Sequence, residues 1–148
     1  FFGKRKPVAN VQSKNALIIS PVHSEYGQGN STLVRVLTKK LKLAGYTIHY
    51  LYLPTDKSMD NGKKMNWDYV YEIKDSENKL LQLKYDNSDQ PLPNAHKIDD
   101  WITKELMQKV KELESKYTFE VCLCNYVWLS KAFALLPDTT IKILETHD

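Results

Sequence analysis

The chain has 148 residues, 42% of them hydrophobic and 26% charged, with 21 basic and 18 acidic residues for a net charge of +3. That is one domain's worth of ordinary globular sequence, and the charge is too weak to point to nucleic acid. No apolar run approaches the roughly 20 residues of a membrane-spanning helix, and nothing at the start has the apolar core of a signal peptide.

Residues 1–15 are polar and read as a lead-in outside the fold. The first six, Phe-Phe-Gly-Lys-Arg-Lys, form a short basic tail. It suits solvent, the ordinary surroundings of a terminus, and it also suits the anionic inner face of a membrane. The first residue is Phe rather than Met, so the chain is expected to be a piece of a longer protein.

Residues 16–45 predict a strand, a glycine-bearing loop and an amphipathic helix. Ala16-Leu-Ile-Ile is a short unbroken apolar run, as in a parallel strand covered on both faces. The loop after it holds Gly27 and Gly29, which let a backbone approach a ligand closely. Asn30 or Ser31 is expected to cap the helix. Leu33, Val34, Leu37, Leu41 and Ala44 fall on one helical face, away from Arg35, Lys39 and Lys42, and Gly45 stands at the left-handed position that ends helices. A helix start of this kind directs free N–H groups and partial positive charge at the loop, where a phosphate can sit. Residues 47–53 are β-branched and aromatic and read as a second strand, stopped by Pro54.

Residues 55–97 are the least legible. A short helix over 58–67, weakened by Gly62, a strand from Tyr69 to Ile73, a short strand or helical turn over 80–85 and a loop over 87–94 are expected there. Asp99 is expected to cap the next helix, in which Ile102, Leu106, Val110, Leu113 and Tyr117 recur at helical spacing. Glu105–Lys109 and Glu112–Lys116 are i,i+4 pairs in the favourable order. Residues 119–126 read as a strand, 128–136 as a short helix ended by Pro137, and 140–145 as the last strand. The alternation predicts an α/β fold: an open, mostly parallel Rossmann-like sheet with helices on both faces. Cys122 and Cys124 lie two apart in a strand, hence on one face. They read as buried apolar residues rather than a disulfide or a metal pair, which fits a reducing cytoplasm.

In such sheets ligands bind beyond the carboxyl ends of the strands, where the strand order reverses. Three segments should meet there: the loop over 22–30, Asn125-Tyr126-Val127-Trp128, and Thr146-His147-Asp148. Gly27-Gln-Gly begins like a dinucleotide fingerprint, but Thr32 stands at the third glycine. His23 is a loop histidine with no evident orienting neighbour. His49, in mid-strand, reads as structural. Tyr126 and Trp128 can stack on a sugar or pack under the helix. Asn30-Ser-Thr matches a glycosylation sequon, but its capping role accounts for it.

Taken together, ALIISPVHSEYGQGNSTLVRVLTKKLKLAGYTIHYLYLP, IDDWITKEL and FEVCLCNYVWLSKAFALLPDTTIKILETHD resemble the N-terminal domain of GT-B glycosyltransferases, especially the retaining group called family 4. The resemblance covers residues 16–54 and 98–148. It implies two Rossmann-like domains facing across a cleft. The N-terminal one, residues 16–148 here, supplies most of the acceptor site. A C-terminal one, absent from this chain, grips the nucleotide of the sugar donor. Gly29 matches the family's loop glycine beside the donor diphosphate, with Gly27 and Asn30 alongside it. His147 matches the histidine that lies against the donor sugar in similar enzymes. His23, Tyr26, Tyr126 and Trp128 are candidates for the acceptor side. Residues 23–26, His-Ser-Glu-Tyr, stand where relatives often carry apolar residues or proline, and Asn125 stands where relatives often have Glu.

The resemblance thus implies transfer of a sugar from a nucleotide-sugar donor to a glycan or lipid-linked acceptor, as in polysaccharide biosynthesis. It implies no cofactor, and no metal held by this domain. The alternative is a non-catalytic α/β nucleotide-binding or interaction module, since fold alone does not fix function.

Overall fold

The structure, a computed structural model, describes residues 14–21, 29–53, 67–74 and 102–146. In chain order these form β1 (Lys14–Ser20), α1 (Gly29–Leu43), β2 (Tyr46–Tyr52), β3 (Tyr69–Glu72), α2 (Lys104–Lys116), β4 (Phe119–Asn125), a 3-10 helix (Val127–Leu135) and β5 (Ile141–Glu145). The strands make one five-stranded sheet in the order β3-β2-β1-β4-β5, every pairing parallel. This is the open α/β sheet that the alternation of strand and helix patterns predicts.

The strand residues divide by parity, as the pleat requires. Ala16, Ile18, Ile48, Tyr50, Val121 and Leu123 bury one face of the sheet with Val34 of α1. Leu17, Ile19, Leu51, Cys122 and Cys124 bury the other, against Leu106, Val110 and Leu113 of α2 and Leu129 and Ala132 of the 3-10 helix. Both cysteines are free and buried, as their alternation implies. Burial pushes the Cys124 thiol up to about 12 and the Cys122 thiol well above its ordinary value, so neither is a thiolate nucleophile at neutral pH.

Several boundaries differ from the sequence expectation, each for a local reason. β1 starts at Lys14, inside the supposed lead-in, because Asn15 finds a buried partner in His49. The first helical residue of α1 is Gly29, and Asn30 and Ser31 lie in its first turn. Its buried centre is Val34 and Thr38, the latter donating its hydroxyl to the Val34 carbonyl at 2.7 Å, while Leu33 and Ala44 are exposed. α2 is capped by Thr103, whose Oγ1 accepts from the Leu106 amide at 3.2 Å; the cap is not Asp99, and Ile102 and Tyr117 flank the helix. Lys109 pairs with Glu112 at 3.2 Å, and the expected Glu112–Lys116 pair forms at 3.0 Å. Gly45 does adopt the left-handed conformation, φ +92°, that ends α1. Of the helix expected over 58–67 only Trp67 is described, and it is not helical; residues 58–66, the elements expected over 80–85 and 87–94, and Asp99 lie outside the described residues.

Among the described residues no helix is long and apolar enough to cross a membrane.

Candidate functional site

β1 lies between β2 and β4, and the chain moves outward from it in both directions. The order therefore reverses between β1 and β4, and the crevice of such a sheet opens beyond the carboxyl ends of those two strands. Ser20 ends β1 and Asn125 ends β4, both on the face that carries α1. Each is fully buried, and the Asn125 Nδ2 donates to Ser20 Oγ at 3.1 Å. Tyr50, one strand away on the same face, shares a side-chain hydrogen bond with Ser20, and burial raises its phenol well above the usual value. A neutral polar chain, Tyr50–Ser20–Asn125, thus floors the switch point. Asn125 belongs to the 125–128 segment expected at this edge, whereas Ser20 was not singled out. The signal for the floor was a polar residue closing each apolar run: Ser20 before Pro21, and Asn125 before Tyr126.

The rim comes from the segment after β4. Tyr126 has φ +81° and ψ +133°, a combination that few residues other than glycine adopt. Its amide donates to the Glu145 carbonyl of β5 at 2.9 Å, and its carbonyl accepts from the Leu129 amide at 3.2 Å and from Cys124 Sγ at 3.5 Å. Its ring lies 4.4 Å, centroid to centroid, from that of Trp128, tilted by 37°. Both side chains are half-buried. The structure therefore brings the 125–128 segment to the end of β5, beside Thr146. Gly29 and Asn30 open α1, whose helix crosses the same face as Ser20 and Asn125. His23, Tyr26, Gly27 and His147 lie outside the described residues.

His49 is buried on the opposite face of the sheet. Its Nε2 lies 3.0 Å from Asn15 Oδ1 and its Nδ1 3.0 Å from the Tyr71 hydroxyl. Asn15 Nδ2 donates to the Thr118 carbonyl at 3.4 Å, which leaves Oδ1 as the acceptor. Nε2 therefore carries the proton, and Nδ1 accepts from Tyr71. The ring stacks on Tyr69 at 4.8 Å and meets Phe119 edge-on at 5.1 Å. Burial brings its pKa down to about 4, with Asp68 pulling weakly the other way. A neutral imidazole with both nitrogens engaged in a packed aromatic box is structural, as its mid-strand position predicted.

Among the described residues no group of three or more His, Cys, Asp and Glu side chains could hold a metal ion. No known family model, no curated protein and no solved structure matches the chain.

Proposed function

We propose that this chain is the acceptor-side domain of a glycosyltransferase that moves a sugar from a nucleotide-sugar donor to a glycan or lipid-linked acceptor. The observation that carries the reading is the switch point: a parallel sheet in the order β3-β2-β1-β4-β5 whose two central strands end in a buried Ser20–Asn125 pair. α1 begins on the same face. The buried pair fixes the ends of the two central strands, and a helix start on that face suits the donor's diphosphate. The resemblance of residues 16–54 and 98–148 to family 4 transferases supplies the reaction class. On that reading Gly29 approaches the donor phosphate through its main chain. His147 bonds a donor-sugar hydroxyl more strongly as the glycosidic bond breaks. No general base is assigned to this domain, because the resembling enzymes retain configuration. The site lies at the cytoplasmic side of a membrane when the acceptor is lipid-linked, with the basic start of the chain against the anionic surface.

The test is nucleotide-sugar binding and turnover by the complete protein, with Gly29→Val as the control. A branched Cβ in the ligand's space should lower activity strongly while the far-ultraviolet spectrum stays that of the wild type. Wild-type rates in the variant would reduce the loop to a turn.

A second reading, an interaction module without catalysis, is favoured by one surface. Ile141, Ile143 and Leu144 of β5 are exposed, and Leu37 and Leu41 of α1 form a groove of about 180 Å³ with Leu123 and Ile143. It predicts no response to any nucleotide sugar.

A further inference from the structure

Two exposed apolar surfaces lie side by side on one face of the sheet. The first belongs to α1. A surface helix is ordinarily polar on the side turned away from its core. α1 buries Val34 and Thr38. With 3.6 residues per turn, Val36 and Leu43 project to roughly the opposite side of the helix. They are 45% and 80% exposed, and Leu33 on the flank is exposed as well. α1 is thus apolar on two opposite sides, the pattern of a helix that is covered on both.

The second surface is the β5 end of the same sheet face. An all-parallel sheet is ordinarily covered on both faces. Here the opposite face carries α2 and the 3-10 helix, whereas this one carries α1 alone among the described residues. Ile141 pairs with Val121 and Ile143 with Leu123, so both isoleucines share the α1 face. They are 61% and 40% exposed. Ile143 and Leu123 form the groove with Leu37, Lys40 and Leu41, which sets this surface directly beside α1. Handedness leaves this half of the face open. The crossover from β1 to β2 places α1 here, and crossovers in the opposite direction, from β3 to β4 and from β4 to β5, run over the other face.

An apolar helix crest beside an uncovered half-face is self-complementary, which is what a two-fold interface requires. An axis running along the strands, in the helix layer, lays α1 of each copy on β5 of the other. Each α1 is then held between its own β1 and β2 and the β4 and β5 of the second copy. Such an axis preserves height along the strands. Ile143 is level with Leu37 and Leu41 through the groove. α1 runs opposite to the strands. At about 1.5 Å per helical residue and 3.3 Å per strand residue, Ile141 comes level with Leu43, and Glu145 with Arg35 and Lys39. α1 carries Arg35, Lys39, Lys40 and Lys42 and no acidic residue, while the β5 row on this face ends in the carboxylate of Glu145. Charge therefore matches along with apolar surface.

We propose that this protein forms a two-fold dimer in which the outer side of α1 of each copy packs on the exposed α1 face of β5 of the other. The dimer is compatible with either reading of function and rests on neither.

Sedimentation velocity of the complete protein at micromolar concentration tests this. The wild type should sediment as a dimer. Leu43→Glu and Ile143→Glu, one on each surface, should sediment as monomers with the wild-type circular-dichroism spectrum; Val36→Glu and Ile141→Glu take their places if either fails to fold. Val70→Glu, on the exposed strand at the far edge of the sheet, should remain dimeric. Lys40→Gln, which removes a like charge near the axis, should tighten the dimer. Leu43→Cys mixed with Ile141→Cys under mild oxidation should give a disulfide-linked dimer that neither variant gives alone, the native Cys122 and Cys124 being buried. A monomeric wild type, a dimeric Leu43→Glu or Ile143→Glu, a monomeric Val70→Glu, or equal crosslinking by one cysteine variant alone would overturn the proposal. A monomeric wild type that pellets with phosphatidylglycerol vesicles, through Leu43, would overturn it by giving the crest of α1 to a membrane. Nucleotide-sugar turnover by a monomer removes the dimer and leaves the transferase reading standing.

Discussion

Burial decides what His49 can do. In the unfolded chain a histidine titrates near pH 6.5, whereas here the ring titrates at about 4. Between those values the unfolded chain binds a proton that the fold does not. The stabilising contribution is therefore full above about pH 6.5 and is lost as the pH falls toward 4, to the extent of about 3 kcal/mol. Urea unfolding at pH 7 and pH 4.5 should show that loss, and His49→Gln, which carries no titrating proton, should flatten it. Equal pH slopes in the two proteins would mean that the ring is solvated. His147, by contrast, belongs to the proposed chemistry. Loss of one hydrogen bond formed to the transition state costs about 2–4 kcal/mol. His147→Ala in the complete protein should therefore lower kcat roughly 10²-fold or more with little change in melting temperature. Activity within about threefold of wild type, or a loss explained by unfolding, would make His147 structural.

At the scale of elements the ends of helices offer the sharpest tests. Gly45 closes α1 at φ +92°, where an added Cβ meets no neighbouring atom, so the conformation alone sets the cost of a side chain. Gly45→Ala should destabilise by about 1–2 kcal/mol, the penalty for an L-residue in the left-handed region. Thr103→Ala removes the acceptor for the Leu106 amide at the start of α2 and should cost about 1 kcal/mol. Denaturant midpoints read both, and values near zero would remove these caps from the account. The same elements show what a sequence can disclose. Gly45 was legible because few residues other than glycine serve at its position. β1 and β4 were legible because parallel strands buried on both faces read as apolar runs, and β2 because its residues are β-branched and aromatic; β3 and β5, the exposed edge strands, carry no such buried run. The cap of α2 was not, since Asp99 and Thr103 are equally good caps by type and only the packing of Ile102 against the core sets where the helix begins. Thr38 was missed in α1 because a hydroxyl bonded back to its own helix passes as apolar.

At the scale of the molecule, the fold holds two buried polar contacts on opposite faces of the sheet. Asn15 and His49 lie on the α2 face, and Ser20 and Asn125 lie at the carboxyl edge on the α1 face. The parallel sheet, and with it a carboxyl edge, was legible from the alternation of strand and helix patterns, whereas the strand order was not. Nor was the Ser20–Asn125 contact, because it joins residues 105 apart in sequence. The strain at Tyr126 was equally hidden, since no sequence pattern marks a tyrosine in a backbone suited to glycine. The central claim is that this edge serves sugar transfer from a nucleotide donor, and one assay tests it most directly: release of nucleoside diphosphate from a panel of nucleotide sugars, measured with the complete protein and with residues 1–148 alone. The account predicts turnover by the complete protein, abolished by Gly29→Val, and none by residues 1–148. Turnover by residues 1–148 alone, or none by the complete protein with any donor, would contradict it.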